Sequence, residues 1–222
     1  MKITFAPVRR QGAGTTSTIR QRRLAGLHSS ASVFSRDNLK VLGEIVQIGS
    51  PTLRQISTTV ADYTDPSLVA GRTQLHQTLA AFRKRHGFGR AIAAPQMGDN
   101  RRYIALDLGA GPFTVHNPQI AWRSADTFTL WDDCLSFPDL LVRVARHRSI
   151  SVTYADEQGH ACTLEKLTPD LSELLQHEID HLDGVLAVDH ANNGNDLVTR
   201  TKFIANRDRY ASMVDATPRL VD

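Results

Sequence analysis

Two histidines and a glutamate share one short stretch, Gln176-His177-Glu178-Ile179-Asp180-His181, and their spacing suits metal chemistry. On a helix, residues four apart project from one face, so His177 and His181 can reach the same ion. Glu178 stands beside the first of them, where it can take a proton from water activated there. The trio reads as the centre of a metal hydrolase. A third ligand is needed, and the chain offers Asp189 and His190 downstream or Cys134 upstream. Cys134 sits in Trp131-Asp132-Asp133-Cys134-Leu135-Ser136-Phe137-Pro138. A thiolate binds Zn²⁺ or Fe²⁺ strongly, and the adjoining acids and turn suit a site better than a core. The other cysteine, Cys162, falls in an expected strand and reads as a small buried hydrophobe.

The helix that must carry the histidines is well marked. Thr168 serves as N-cap, Pro169 opens it, Asp170 lies in the first turn and Gly184 follows its end. Leu171, Leu174, Leu175 and Leu182 can anchor it in a core and so hold the ligands at fixed distances. A second helix opens at Asp65-Pro66, with Leu68, Leu75, Leu79 and Phe82 on its apolar side and Gly87 as its stop. Strands are expected over 42–48, 102–108, 113–116, 140–144 and 149–154, the first ending at the turn Gly49-Ser50-Pro51. A last helix is expected within 195–213. A run of strands with helices at each end and one behind the site argues an α+β domain over residues 39–222.

Bulk properties narrow the field. At 222 residues, 41% hydrophobic and 22% charged, the chain can bury one good core. No apolar run nears the roughly 20 residues that cross a bilayer, so no membrane span is expected. Two cysteines do not make a disulfide framework, which favours a reducing, intracellular compartment. The pI of 9.1 suggests an acidic partner until the charges are mapped. Residues 1–36 hold seven basic groups and no acid, leaving 19 basic against 23 acidic groups elsewhere. The body is therefore acidic, and direct nucleic-acid binding by it is not expected. Residues 1–38, rich in Arg, Ser and Thr, read as a basic extension. It resembles an organellar transit peptide as much as a disordered leader or residues upstream of the true start.

Three segments, taken in order, resemble the peptide deformylase family. Gly89-Arg90-Ala91-Ile92-Ala93-Ala94-Pro95-Gln96 is similar to G-x-G-L-A-A-P-Q, and Asp132-Asp133-Cys134-Leu135-Ser136 to E-G-C-L-S. The histidine segment is similar to Q-H-E-x-D-H, and the likeness covers about residues 42–190. The resemblance implies a peptide-deformylase-like fold, with short antiparallel or mixed sheets around a central H-E-x-x-H helix. It also implies removal of formyl groups from the N-terminal methionine of nascent polypeptides, at or near the ribosome. One divalent ion, Fe²⁺ or its substitutes Zn²⁺ and Ni²⁺, would sit on Cys134, His177 and His181. Glu178 would be the acid–base group, and the Gln96 side chain with the Leu135 backbone N–H would receive the oxyanion. Gly89, Arg90, Ala91, Ile92 and Leu174 would line the substrate pocket. Asp132 and Arg146 would pair, as the family's Glu and Arg do, and steady the Cys134 loop. Formyl-methionine starts chains in bacteria and organelles, so a bacterial cytoplasm or a mitochondrion would suit it.

The sequence also departs from these motifs. Ala91 replaces a glycine, Asp133 replaces the glycine before the cysteine, and Arg90 replaces an apolar pocket residue. The chemistry is expected to survive; the preference for methionine is where change is expected. Two other readings are a metalloprotease and a non-catalytic protein stabilised by metal. The first lacks a downstream ligand at protease spacing, and the second would need neither Glu178 nor Gln96.

Overall fold

Helix α2 (Pro169–Leu182) is the element around which the rest is arranged, and ten of its fourteen residues are buried. Its leucine side, Leu174, Leu175 and Leu182 with Ile179, packs on Ala91, Ala93, Ile104, Leu106, Val115, Ile150 and Val152. Those residues come from a five-stranded sheet ordered β1-β2-β3-β6-β7, made of β1 (Ala91–Ala93), β2 (Tyr103–Asp107), β3 (Pro112–Arg123), β6 (Ile150–Ala155) and β7 (Ala161–Leu164). Its other side meets a three-stranded sheet, β4 (Thr127–Asp133), β5 (Leu140–His147) and β8 (Leu197–Thr199), in the order β4-β5-β8. There Gln176 brackets His147 of β5, accepting from its N–H at 3.0 Å and donating to its carbonyl at 2.9 Å. The computed structural model describes residues 43–216, so the basic extension over 1–38 lies outside the described residues.

Side-chain alternation along the strands puts a second layer on the far face of the larger sheet. Ala91 and Ala93 of β1 face α2, whereas Ile92 between them faces α1 (Pro66–His86). In β2, Ile104 and Leu106 face α2, while Tyr103 and Ala105 join Leu68, Leu75, Leu79 and Phe82 of α1. The Asp65 side chain accepts from Ser67 N–H at the start of α1, and Gly87 closes it at φ 76°. Both long helices start and stop where expected, although the Thr168 side chain at the start of α2 makes no capping hydrogen bond. No helix among the described residues is long and apolar enough to cross a membrane.

Four expectations need correction. Residues 43–48 do not form a strand. Their backbone bonds go to two different loops, Val46 N–H to the Gln96 carbonyl and Ile48 N–H to the Ser136 carbonyl, so no continuous ladder can run. The strand expected over 113–116 extends to Arg123, crossing register shifts against β6 on its way. The single helix expected within 195–213 is instead β8 followed by α3 (Arg200–Ala205) and α4 (Arg207–Ala211), broken at Asn206 (φ −138°, ψ 41°). Cys162 lies in β7 as expected, yet it is half-buried on an edge strand and is not a core residue. Among the described residues every strand pairing is antiparallel, and one isolated parallel bridge joins Thr58 to Arg101.

The end of α2 is sharply defined. Gly184 adopts φ 73°, and a Cβ there would meet the Arg54 carbonyl oxygen at 2.6 Å. Both the left-handed conformation and the close backbone exclude a side chain. Gly184→Ala should therefore lose about 2 kcal/mol of stability, read as a lower urea midpoint at unchanged slope. An unaltered midpoint would show that this helix end is not constrained as described.

Candidate metal centre

Three buried side chains converge where α2 faces the end of β4. The ligand atoms of Cys134, His177 and His181 all lie within 4.8 Å of one another. Cys134 immediately follows β4, and its Sγ is 3.2 Å from His181 Nε2 and accepts from Ser136 N–H at 3.4 Å. His177 Nδ1 is 3.0 Å from Asp132 Oδ2, which leaves Nε2 as its free ligand atom. That is the tautomer a metal-binding imidazole needs, with a carboxylate holding the opposite nitrogen. The soft thiol and two imidazoles, dry and mutually close, fit one divalent ion. The downstream candidates are engaged elsewhere. Asp189 pairs with Arg54, and His190 Nε2 bonds Asp180 at 2.8 Å.

The electrostatics of the trio follow from burial. Loss of water pushes the Cys134 thiol up and His181 down to about 3. Burial also works against a charged His177, but the adjacent Asp132 carboxylate overrides it and raises that imidazole well above its usual value. Burial alone would raise the Asp132 carboxyl too, yet His177 and Arg146 hold it well below the carboxylate range. A cation entering here must displace protons from sulfur and nitrogen, so its binding strengthens as pH rises. Glu178 is 3% exposed, and its Oε2 has no hydrogen-bond partner among the described residues. Burial pushes this carboxyl up to about 7, and a cation in the trio would pull it back down.

Gln96 reaches the same place from the turn after β1. Its Oε1 accepts from Ala93 N–H at 2.8 Å, which aims Nε2 at Ser136 Oγ (3.2 Å) and Cys134 Sγ (3.6 Å). Leu135 is buried beside it. A cleft of about 580 Å³, partly continuous with solvent, opens onto His177 and Glu178. Gly89, Arg90, Ala91, Leu135 and Leu174 line it, as do Phe88, Leu130, Trp131, Asp132, Asp133 and Glu173. Ile92 does not. Strand alternation turns it to the opposite face, where it is fully buried against α1, so its expected place in the pocket is corrected.

Two features were not anticipated from the sequence. Glu173 pairs with Arg90 inside the cleft, although its position one turn before His177 on the same helix face could have indicated it. Asp180, quoted in the third motif but given no role, binds both Arg146 and His190. The Asp132–Arg146 pair is present at 3.1 Å with both side chains buried. Asp132 also meets His177 at 3.0 Å, a contact beyond the expected pair.

Arg146→Ala would leave the buried Asp132 and the half-buried Asp180 without their shared cation. We expect metal affinity to fall roughly 10- to 100-fold in chelator competition, together with lower stability. Wild-type metal retention in this variant would exclude a supporting role for Arg146.

The geometry agrees with what is known of other proteins. The family model for polypeptide deformylase matches residues 42–196. The peptide deformylase of Thermotoga maritima is 33% identical over 156 residues, covering 70% of this chain and 91% of that protein. A crystal structure of peptide deformylase from the same organism superposes with a TM-score of 0.62 at 32% identity, covering 68% of this chain and 99% of that one. A Synechococcus elongatus peptide deformylase in complex with actinonin gives 0.61 at 31% identity, covering 75% and 85%. Motif order, buried ligand set and fold therefore converge, and the chain belongs to the peptide deformylase family.

Proposed function

We propose that this enzyme hydrolyses the N-formyl group of formyl-methionyl peptides, with Cys134, His177 and His181 holding one Fe²⁺ ion. The observation that carries the reading is the buried ligand trio beside an unpartnered Glu178 oxygen, with the Gln96 amide aimed at the same point. An ion held there supplies positive charge that lets water ionise near neutral pH and polarises a carbonyl oxygen. Glu178 takes the proton of the attacking water and passes it to the departing amine nitrogen. Burial raises the proton affinity of this carboxyl and a nearby cation would lower it, and between these opposed effects it serves first as base and then as acid. Gln96 Nε2 and the Leu135 N–H donate to the oxygen on which negative charge develops. Ala93 and Ser136 fix the Gln96 amide beforehand, so it need not reorganise during the reaction. The cleft takes the side chain of the formylated residue, with Ala91 the smallest replacement for glycine where the peptide backbone passes.

The natural substrate on this reading is a nascent polypeptide emerging near the ribosome. Translation starts with formyl-methionine in bacteria and organelles, so a bacterial cytoplasm or a mitochondrion would supply it. The charged pair Arg90–Glu173 in the cleft favours a second form of the same reading, a deformylase with altered side-chain preference.

Metal-defined protein should release formate from formyl-Met-Ala-Ser without cutting its internal bonds. Absence of formate at every metal loading would overturn the reading, and internal cleavage would replace it with a protease. Glu178→Gln should keep its metal and lose roughly 10²- to 10⁴-fold in kcat. Full activity in that variant would remove Glu178 from the mechanism.

A further inference from the structure

Apart from Glu178, the carboxylates that line the cleft are already matched. Asp132 is held by Arg146 at 3.1 Å, and Asp133 by Arg200 at 2.9 Å. Arg90 meets Glu173 within the cleft itself, and its Nη1 also donates to the Asp170 carbonyl at 3.0 Å. The Glu173 side chain is 7% exposed and that of Arg90 22%, so the pair forms part of the wall. Neither group is saturated. A guanidinium carries five N–H donors, of which two are engaged here, and Glu173 Oε2 makes no hydrogen bond among the described residues. The same cleft wall carries the apolar side chains of Phe88, Leu130, Trp131 and Leu174.

This combination has a definite chemical preference. A carboxylate in the cleft would face Glu173, and an ammonium would face Arg90. Either would bring a net charge against a pair that is already neutral, and a desolvated charge without a partner of its own is costly. A purely apolar side chain would cover the pair's spare donors and acceptor without satisfying them. A terminal amide offers one acceptor and two donors, so it can meet both halves at once. Glutamine matches methionine in length. Its two methylenes would lie along the apolar lining while its amide met the pair.

We infer that the Arg90–Glu173 pair is a specificity determinant. It lets the site accept a neutral, amide-ended side chain of methionine length at the formylated residue, alongside methionine itself. The inference rests on the deformylase reading above, and it concerns only which side chain that reaction takes.

The test compares kcat/KM for formyl-Met-Ala-Ser and formyl-Gln-Ala-Ser in the wild type and in Arg90→Ile/Glu173→Ile. Replacing both partners with apolar groups avoids stranding either charge. The wild type should use the two peptides within about tenfold of each other. The double variant should shift the ratio toward methionine by about tenfold or more, as expected for one lost buried hydrogen-bonding partner. A merely structural pair would move both substrates together and leave the ratio alone. The inference is overturned if the wild type prefers methionine by more than a hundredfold, or if both proteins give the same ratio. Calorimetry with the product peptides Met-Ala-Ser and Gln-Ala-Ser reads the pocket without turnover. Should neither formyl peptide yield formate, the deformylase reading fails. Those two affinities, compared between wild type and variant, would then decide the pocket by the same criterion.

Discussion

Asp132 ties the helix of the histidines to the strand pair that leads to the cysteine. Its carboxylate takes the Arg146 guanidinium from β5 and the His177 imidazole from α2, and it stands at the end of β4 two residues before Cys134. Arg146 in turn binds Asp180 on α2, which binds His190 beyond that helix. A helix with Ser172, Glu173, Gln176, His177, Glu178 and His181 all buried would be ruinous without such a network. The same bonds that make the polar side of α2 tolerable also set the separation of thiol and imidazoles.

Rigidity on the other side of α2 comes from plain burial. Leu175 and Leu182 are almost wholly enclosed against the larger sheet, so the helix can neither roll nor slide without opening a cavity. The two loops that complete the site are tied by residues 43–48. Val46 bonds the Gln96 carbonyl at 2.8 Å and Ile48 the Ser136 carbonyl at 2.9 Å. This segment forfeits a place in a sheet and instead fixes the spacing between the Gln96 and Cys134 loops. Preorganised donors and ligands of this kind are what a hydrolytic site requires.

What could be read from the sequence was what depends on neighbours along the chain. The ends of α1 and α2 are signalled by Asp65-Pro66, Gly87, Pro169 and Gly184, each of which acts within a turn of itself. The histidine spacing is likewise local, and the three ordered motifs brought Cys134 and Gln96 to it. Features that depend on distant partners were not legible. Residues 43–48 look like a strand by composition and fail to be one because their partners lie in two loops. Ile92 sits amid a motif of pocket residues, yet the two-residue period of β1 turns it toward α1. Leu197-Val198-Thr199 reads as the start of a helix until β5 offers Leu140, Leu141 and Val142 for pairing.

The departures from the family's motifs share one physical logic, because each added charge arrives with its counter-charge. Arg90, which replaces an apolar residue, meets Glu173 on α2. Asp133, which replaces the glycine before Cys134, meets Arg200 at the start of α3, four residues beyond the span that the family model matches. Arg200 also donates to the Pro138 carbonyl at 2.6 Å and lies 4.0 Å over the Phe88 ring in the cleft. The C-terminal helices are anchored to the same sheet through Trp131, whose Nε1 donates to the Tyr210 carbonyl at 2.9 Å. A segment outside the shared span thus reaches the cleft by a cation–π contact and an ion pair. An unpaired carboxylate beside the cysteine would repel Glu178 and bind the ion in competition with its proper ligands. Arg200 removes that hazard by holding Asp133 in a pair of its own. The new charges therefore alter the lining of the cleft while leaving the ligand trio a set of one thiol and two imidazoles.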